Sequence, residues 1–112
     1  MSQRDLVYVG HMLDMAKKAV EKTNGITPET YDADENLRFA LIHLIQTVGE
    51  AARQVSREFC DAHPEIRWAD IIGMRHKVVH DYLGVDEDIV WRVVTEDLPQ
   101  LVRSLDALGT PS

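Results

Sequence analysis

The residues best suited to chemistry lie together in the segment 75–82, which we call the motif segment. It runs Arg-His-Lys-Val-Val-His-Asp-Tyr and sets a permanent cation, two imidazoles and a phenol within eight positions. Arginine is the side chain best suited to grip a phosphate, and histidine is the one best suited to move a proton near pH 7. A small acidic domain has little structural reason to concentrate such groups, so the segment indicates a site for phosphate chemistry.

Cleavage of RNA would use these groups directly. The 2'-hydroxyl attacks the adjacent phosphorus and the 5'-oxygen of the next nucleotide leaves, which requires a base, an acid and positive charge on the phosphate. His80 suits the proton transfers, because imidazole titrates near neutrality. Arg75 suits the phosphate, because its paired donors can meet the developing charge. This reaction needs no metal, leaves a 2',3'-cyclic phosphate and cannot occur on DNA, which lacks the attacking hydroxyl.

A metal site is the competing interpretation of the histidines. His76 and His80 are four residues apart, the spacing of two ligands on one face of a helix. No glutamate follows His76 as in the HExxH pattern, and the available third ligands are Asp81, Asp86 or the distant His43. We therefore expect neither a metal nor a cofactor.

Composition sets the class of protein. The 112 residues suffice for one domain, 1–112, and 45% apolar with 28% charged residues is ordinary for a globular protein. The formal net charge of -7 argues against coating nucleic acid through a general positive field. Cys60 is the only cysteine, so no internal disulfide can form and a reducing compartment is expected. No segment resembles a signal peptide or a membrane span, which predicts a cytoplasmic protein without membrane contact.

Apolar periodicity predicts helices that would position the motif segment. The first spans about 4–22 and ends at Asn24-Gly25, and the second runs from about residue 32 to His63, before Pro64. A third helix is predicted over 68–81, with the motif segment on its C-terminal half. Gly73 within it indicates close packing or an irregular turn.

The last helix should begin at Asp86, a good N-cap residue, and continue to about residue 108. Pro99 falls inside this pattern and is expected to kink the helix or to split it at Asp97. The chain is thus predicted to be an all-α bundle of four main helices, with a fifth segment possible. Apolar surface left uncovered by so short a chain would favour a homodimer.

Helical geometry limits how the motif residues could meet. Arg75 and Tyr82 would fall on almost one line of an ideal helix, whereas Arg75 and His80 would lie about 140° apart. These two could converge through the length of the arginine, through a distorted turn near Gly73, or through a second copy of the chain. A two-fold axis beside the helix would bring two Arg75 and two His80 side chains together.

The run from Gly73 to Tyr82 resembles the R-x-x-x-x-H-x-Y signature of HEPN-domain toxins of the HepT type. The likeness covers nearly the whole chain, and it departs at His76, where the family usually has asparagine. The other matching stretches are Gly49-Glu50-Ala51-Ala52, Trp68 with Ile71-Ile72, Gly84-Val85-Asp86, Ile89-Val90-Trp91 and Asp97-Leu98-Pro99.

The resemblance implies an α-helical homodimer with the motif at the subunit cleft, acting as a metal-independent endoribonuclease. It also implies the toxin half of a HepT/MntA-like, type VII-like toxin–antitoxin pair, whose antitoxin is a minimal nucleotidyltransferase that in some pairs transfers AMP from ATP to the motif tyrosine. Carried over, Arg75 and His80 are catalytic, Tyr82 is the residue that becomes O-AMP-tyrosine, and His76 is a supporting residue. Glu50 is a second supporting candidate, expected either to pair with an arginine of the site or to face water.

Two other functions stay open at this level. A non-catalytic helical module could keep the motif for binding a nucleotide or a protein, and a toxin could serve mainly as the substrate of its antitoxin. The acidic net charge slightly favours both over an RNA-cleaving enzyme. The ordinary alternatives for single residues are a salt bridge from Arg75 to Glu50 or Asp81, and a Tyr82 ring that simply packs.

Overall fold

The fold is a bundle of helices, which the computed structural model describes over residues 2–80 and 84–108. A single two-residue strand pair interrupts the helices of this described part. No helix in it is long and apolar enough to cross a membrane. The elements are α1 Gln3–Thr23, α2 Pro28–Ala33, α3 Glu35–Gln54, α4 Arg57–Ala62, α5 Trp68–Ile72, α6 Met74–Val78, β1 Val79–His80, β2 Gly84–Val85, α7 Glu87–Arg92, a π-helix Val93–Asp97, and α8 Leu98–Asp106.

Two long helices, α1 and α3, form the centre of the bundle. They run antiparallel, since Arg4 at the start of α1 donates to Gln54 at the end of α3. The π-helix and α8 pack along α1. The shared core consists of fully buried apolar side chains, among them Val9, Met12, Ala16, Leu41, Ile45, Val48, Leu98 and Leu105. The all-α class predicted from the sequence is therefore confirmed.

The first predicted helix is confirmed almost to the residue. Gly25, just after it, has φ +74°, a conformation that glycine adopts without strain. The following connection contains the short helix α2, which the periodicity did not predict. Thr27 caps it by accepting from the Thr30 N–H at 3.1 Å, and Pro28 occupies its first turn, where no N–H is needed.

The single second helix predicted to His63 is wrong, because the chain breaks between α3 and α4. The cause is Asp5 on α1, whose carboxylate accepts from the Ser56 N–H and from the Ser56 hydroxyl, both at 2.7 Å. The Ser56 oxygen in turn accepts from the Phe59 N–H at 3.2 Å and so caps α4. Val55 and Phe59 are both buried on either side of the break, so the apolar stripe continues through it.

The third predicted helix is also shorter and more broken than expected. Gly73 separates α5 from α6, in agreement with the irregular turn predicted there. A Cβ at Gly73 would lie 3.2 Å from the Ala69 carbonyl oxygen. The helix predicted to residue 81 ends at Val78, after which β1 pairs antiparallel with β2. The Asp86 N–H closes this pair by donating to the Val78 carbonyl at 2.9 Å.

The last helix begins as predicted, with the Asp86 carboxylate accepting from the Ile89 N–H at 3.2 Å. The predicted irregularity at Pro99 takes the form of the π-helix, which ends at Asp97 and passes directly into α8. Proline lacks an N–H, and its ring crowds the carbonyl four residues earlier, here that of Thr95. A wider π turn accommodates both effects without ending the helix.

A close helix approach sets the position of α5 and α6 on the bundle. A Cβ at Gly49 of α3 would lie 3.3 Å from the Ile71 carbonyl oxygen and 3.7 Å from that of Ile72. These are backbone atoms at the end of α5, so they cannot move aside as a flexible side chain can. The glycine thus lets α3 support the short helix on which the motif segment begins.

Replacing Gly49 by alanine should lower the free energy of unfolding by about 1 kcal/mol. Overpacking costs about 1–3 kcal/mol, and the better helix propensity of alanine returns about 1 kcal/mol. Gly10→Ala in α1 is the matched control, because a Cβ there meets nothing within 4 Å. Urea unfolding should show Gly10→Ala stabilised and Gly49→Ala destabilised, and equal stabilisation of both would contradict the close contact.

The Asp5 carboxylate should make stability depend on pH. Burial alone would raise the pKa of Asp5, but the hydrogen bonds from Ser56 and from the Ser2 hydroxyl outweigh it and hold the pKa below its ordinary value. The ionised form is therefore favoured in the folded state. Its contribution is complete above the unfolded pKa of about 3.9 and is lost as pH falls through the lower folded pKa.

Asp5→Asn should accordingly lower the free energy of unfolding at pH 7 by about 1.5–3 kcal/mol, the range for hydrogen bonds to a charged group. The difference from the parent should shrink as pH falls below about 4. Asp14→Asn removes an exposed carboxylate from the same helix and serves as the control. Urea unfolding at pH 7 and pH 3 measures both, and a difference independent of pH would remove the charge from the explanation.

Candidate functional site

Arg75 lies on α6, directly after Met74. Met74 and Val78, at the two ends of this short helix, are buried in the core. The Arg75 backbone is therefore held between two apolar anchors, on the helix that Gly49 lets approach α3. For Arg75 the structure describes the backbone alone.

His80 lies on β1 and not on a helix, which corrects the predicted geometry. Its backbone pairs with Gly84, and Val79 pairs with Val85. Because α6 ends at Val78, neither the 140° separation from Arg75 nor a shared helical line with His76 applies. Gly84 has φ +89°, so glycine supplies a conformation that other residues rarely adopt at the return of the chain. For His80, too, the structure describes the backbone alone.

The remaining motif residues fall into two groups. His76 and Lys77 are exposed on α6, and their N–H groups donate to the Gly73 carbonyl at 3.0 and 3.3 Å. His76 is thus accessible beside Arg75, and its supporting role stays a prediction. Tyr82 and Asp81 lie outside the described residues, so the modification predicted for Tyr82 stays a prediction too.

Glu50 lies on α3, next to the glycine that contacts the end of α5. Its side chain is half exposed and forms an ion pair with Arg53 at 3.6 Å, one turn further along the helix. Exposed pairs of this kind contribute only about 0.3–0.5 kcal/mol, so the pair does not explain why a charge sits in an apolar stretch. The predicted pairing of Glu50 with an arginine of the motif segment is untested.

A groove of about 410 Å³ runs beside α6, between that helix and α8. Met74 and Lys77 line it on one side, and Gln100 and Ser104 line it on the other. Sequence analysis missed this groove, because its lining residues come from two separate stretches of the chain, 65–77 and 97–104. Its charges are mixed, so it is not a cationic channel; the ionisable lining residues are Glu65, Arg67, Asp70, Lys77 and Asp97.

A second polar cluster, formed by Tyr31, Arg38 and Glu87, was also missed. The Tyr31 hydroxyl donates to one Glu87 oxygen at 2.5 Å, and Arg38 Nε lies 3.2 Å from the other. Burial, the hydrogen bond to Glu87 and the charge of Glu87 raise the pKa of Tyr31, so the phenol stays protonated and donates. An acidic residue in the first turn of a helix has an ordinary explanation in the helix dipole, so nothing in the sequence pointed to this partnership.

The structure also bears on two other kinds of chemistry, a reactive thiol at Cys60 and a metal site at His76 and His80. Burial, followed by the nearby carboxylates of Asp5 and Asp61, raises the pKa of Cys60, which disfavours the thiolate and a nucleophilic role. The pairing of His76 with His80 as metal ligands loses its helical premise. Within the described ranges, no group of three or more histidine, cysteine, aspartate or glutamate residues is placed to hold a metal ion.

Comparison with known proteins addresses the family directly. The family model described as "Ribonuclease HepT-like" matches residues 12–108. "Probable ribonuclease HepT" of Thermococcus cleftensis is 33% identical over 101 residues, which cover 90% of this chain and 92% of the relative. "Putative RNase TTE0752" of Caldanaerobacter subterraneus subsp. tengcongensis is 31% identical over 98 residues, 88% of each chain.

A third relative extends the match to almost the full length. "Putative RNase MJ1380" of Methanocaldococcus jannaschii is 28% identical over 107 residues, which cover 95% of this chain and 98% of the relative. No solved structure gives a significant match. With the family model spanning the core helices, the strand pair and the motif segment, this chain belongs to the HepT-like family, the HEPN-domain family that its motif segment resembles.

Proposed function

We propose that this protein is a metal-independent endoribonuclease that acts as the toxin of a toxin–antitoxin pair. The observation that carries the proposal is the Arg-x-x-x-x-His spacing in a chain of the HepT-like family, set across the point where α6 gives way to β1. Arg75 is on the helical side of that point and His80 on the extended side. RNA is the substrate class, in line with the ribonuclease names of the relatives.

The proposed step is a transesterification within the RNA. An imidazole of His80 accepts the proton of the 2'-hydroxyl, the 2'-oxygen bonds to phosphorus, and the bond from phosphorus to the 5'-oxygen breaks. The leaving 5'-oxygen takes up a proton from a protonated imidazole, that of His80 in a second copy of the chain, so the products are a 2',3'-cyclic phosphate and a 5'-hydroxyl. Arg75 stabilises the charge that gathers on the phosphate oxygens, where a guanidinium offers paired donors. The proton transfers and the stabilisation of charge are thus all assigned to side chains of this protein.

The end of α6 supports this assignment. On a continuous helix, Arg75 and His80 would be directed about 140° apart. Extended backbone at Val79 and His80 removes that constraint, since the direction of His80 is then set by the strand pair. His76, exposed on α6, would support the phosphate contact from the position where the family usually has asparagine.

Homodimerisation is part of the proposal. Two copies related by a two-fold axis would place two Arg75 and two His80 residues at one cleft. One imidazole could then act as the base while the other acts as the acid, as the two proton transfers require. The antitoxin would be a minimal nucleotidyltransferase that adds AMP to Tyr82, which would add bulk and negative charge to the motif segment and block entry of an RNA phosphate.

A non-catalytic binding module is the second candidate. The observation that favours it is charge: the net charge is -7, and the groove beside α6 carries carboxylates as well as cations. Such a surface gains little from the field that draws most RNA-binding proteins to their ligand. Under this alternative the motif segment binds a nucleotide or a protein and cleaves nothing.

Cleavage of RNA in EDTA tests the two candidates. The parent should release products that end in a 2',3'-cyclic phosphate and should leave DNA of the same sequence intact. His80→Ala should reduce the rate by about 10²–10⁴-fold, the usual contribution of general acid–base catalysis. Arg75→Ala should reduce it by about 10²–10³-fold, the usual contribution of one charge-stabilising donor group.

The exposed Arg67, which pairs with Asp70 at 2.9 Å, offers the matched control Arg67→Ala. It removes one surface cation near α6 and should change the rate little. Cleavage that persists equally in Arg75→Ala and His80→Ala would take both residues out of the mechanism. An inactive parent, purified without any partner, would favour the binding module.

Modification of Tyr82 is tested by intact mass. Protein produced together with its neighbouring nucleotidyltransferase should gain the mass of whole AMP units, and the gain should disappear in Tyr82→Phe. Tyr8→Phe is the control, since Tyr8 lies on α1, outside the motif segment. RNA cleavage should fall as the modified fraction rises. A mass gain that survives in Tyr82→Phe would assign the modification to another residue.

A further inference from the structure

We propose that the Tyr31–Arg38–Glu87 cluster is a positioning element that holds the strand pair carrying His80 in place. The inference rests on the proposed function, since it assigns the cluster a part in the reaction of the same site. None of the three side chains is in the motif segment. They act on it through the start of α7, the helix that follows β2.

The cluster fixes Glu87 from two sides. The Tyr31 hydroxyl binds one carboxylate oxygen at 2.5 Å, and Arg38 Nε lies 3.2 Å from the other. Tyr31 is only 1% exposed, whereas the Arg38 and Glu87 side chains are 21% and 35% exposed, so water screens the Tyr31 contact less than the ion pair. A charged acceptor with two partners is held more tightly than the exposed ion pairs elsewhere on the surface.

The two partners of Glu87 are themselves anchored. Arg38, on α3, also donates to the backbone carbonyl of Asp32, at the end of α2. The Tyr31 ring packs on Trp91 of α7, with 5.2 Å between ring centroids. Glu87 is therefore tied to the central helix α3 and to α2, and not merely to a neighbour on its own helix.

From Glu87 the constraint passes to the strand pair in one covalent step. Asp86 precedes it, and the Asp86 N–H donates to the Val78 carbonyl at 2.9 Å. That bond joins the start of α7 to the end of α6 and closes the base of the pair formed by β1 and β2. The outgoing side of the pair is held by the buried Met74 and Val78, and the cluster holds the returning side.

A purely stabilising role would have different consequences. A cluster that only adds stability changes the unfolding transition and leaves the folded enzyme's turnover intact. A positioning cluster changes turnover in protein that is fully folded, because a displacement of about 1 Å at a catalytic group can cost about 10²-fold in rate. Substrate binding, which depends on the wider surface, should change less.

Glu87→Gln and Tyr31→Phe are the test variants, and Glu96→Gln is the matched control. Glu87 and Glu96 line the same surface cavity, so both glutamine variants remove one negative charge from one region. Glu96, however, pairs only at 3.7 Å with the exposed Arg92. Tyr31→Phe removes one hydrogen bond and keeps the ring on Trp91. Circular dichroism at the assay temperature ensures that each rate refers to folded protein.

The expected result is a fall in kcat of about 10-fold for Glu87→Gln and for Tyr31→Phe, with KM within about twofold of the parent. Glu96→Gln should match the parent in both constants. Hydrogen exchange provides a readout that needs no activity. The Asp86 amide, whose hydrogen bond to the Val78 carbonyl closes the base of the strand pair, should exchange faster in Glu87→Gln than in Glu96→Gln, because that base opens more often.

The outcomes separate this inference from the proposed function. A parent that does not cleave RNA overturns the proposed function, and the part of the cluster in catalysis falls with it. An active parent whose folded Glu87→Gln and Tyr31→Phe variants keep the kcat and exchange of Glu96→Gln overturns the positioning role alone. A change in stability or in KM without a change in kcat does the same. If Tyr31→Phe does not fold, Glu87→Gln decides.

Discussion

The hydrogen bond from the Asp86 N–H to the Val78 carbonyl is the contact on which the candidate site depends. The last carbonyls of a helix have no donor within that helix, so the end of α6 needs an N–H donor from elsewhere in the chain. Asp86 supplies it and at the same time caps α7 with its side chain. One residue thus ends one helix, begins the next and closes the base of the strand pair that carries His80.

The site is supported by packing as much as by polar contacts. Gly49 allows α3 to approach the end of α5, so the short helix α6 rests on the centre of the bundle and not on a flexible arm. Met74 and Val78 then bury their side chains in the core and so fix the rotation of α6 about its own axis. A five-residue helix has little stability of its own, so tertiary contacts must supply what propensity cannot. The position of the Arg75 backbone therefore depends on glycine and apolar residues that take no part in the proposed reaction.

Local signals predicted the parts of this fold that local interactions determine. The bounds of α1, the positive φ of Gly25, the irregular turn at Gly73 and the cap at Asp86 each follow from a few adjacent residues. The motif segment was found for the same reason, since its residue types and spacing are visible without the fold. Family membership followed from that spacing and from matching stretches along the chain.

The errors arise where a distant residue decides the structure. The break at Ser56 requires Asp5, 51 positions earlier, and the cluster on Glu87 requires Tyr31, 56 positions earlier. Apolar periodicity could not reveal either, because Val55 and Phe59 keep the stripe intact across the break. The helix end at Val78 likewise depends on pairing with Gly84 and Val85, which come later in the chain. A helix predicted from its own residues therefore ran too far in both cases.

The acidic chain constrains how the proposed enzyme could bind RNA. With a net charge of -7, most of the surface repels a polyanion, so attraction must be confined to a small region. Two Arg75 side chains brought together at a subunit cleft would repel each other, and a bound phosphate would relieve that repulsion. In the proposed dimer, the same juxtaposition would be costly without a ligand and favourable around an anion. Local concentration of cations, and not the overall field, would select the phosphate to be cleaved.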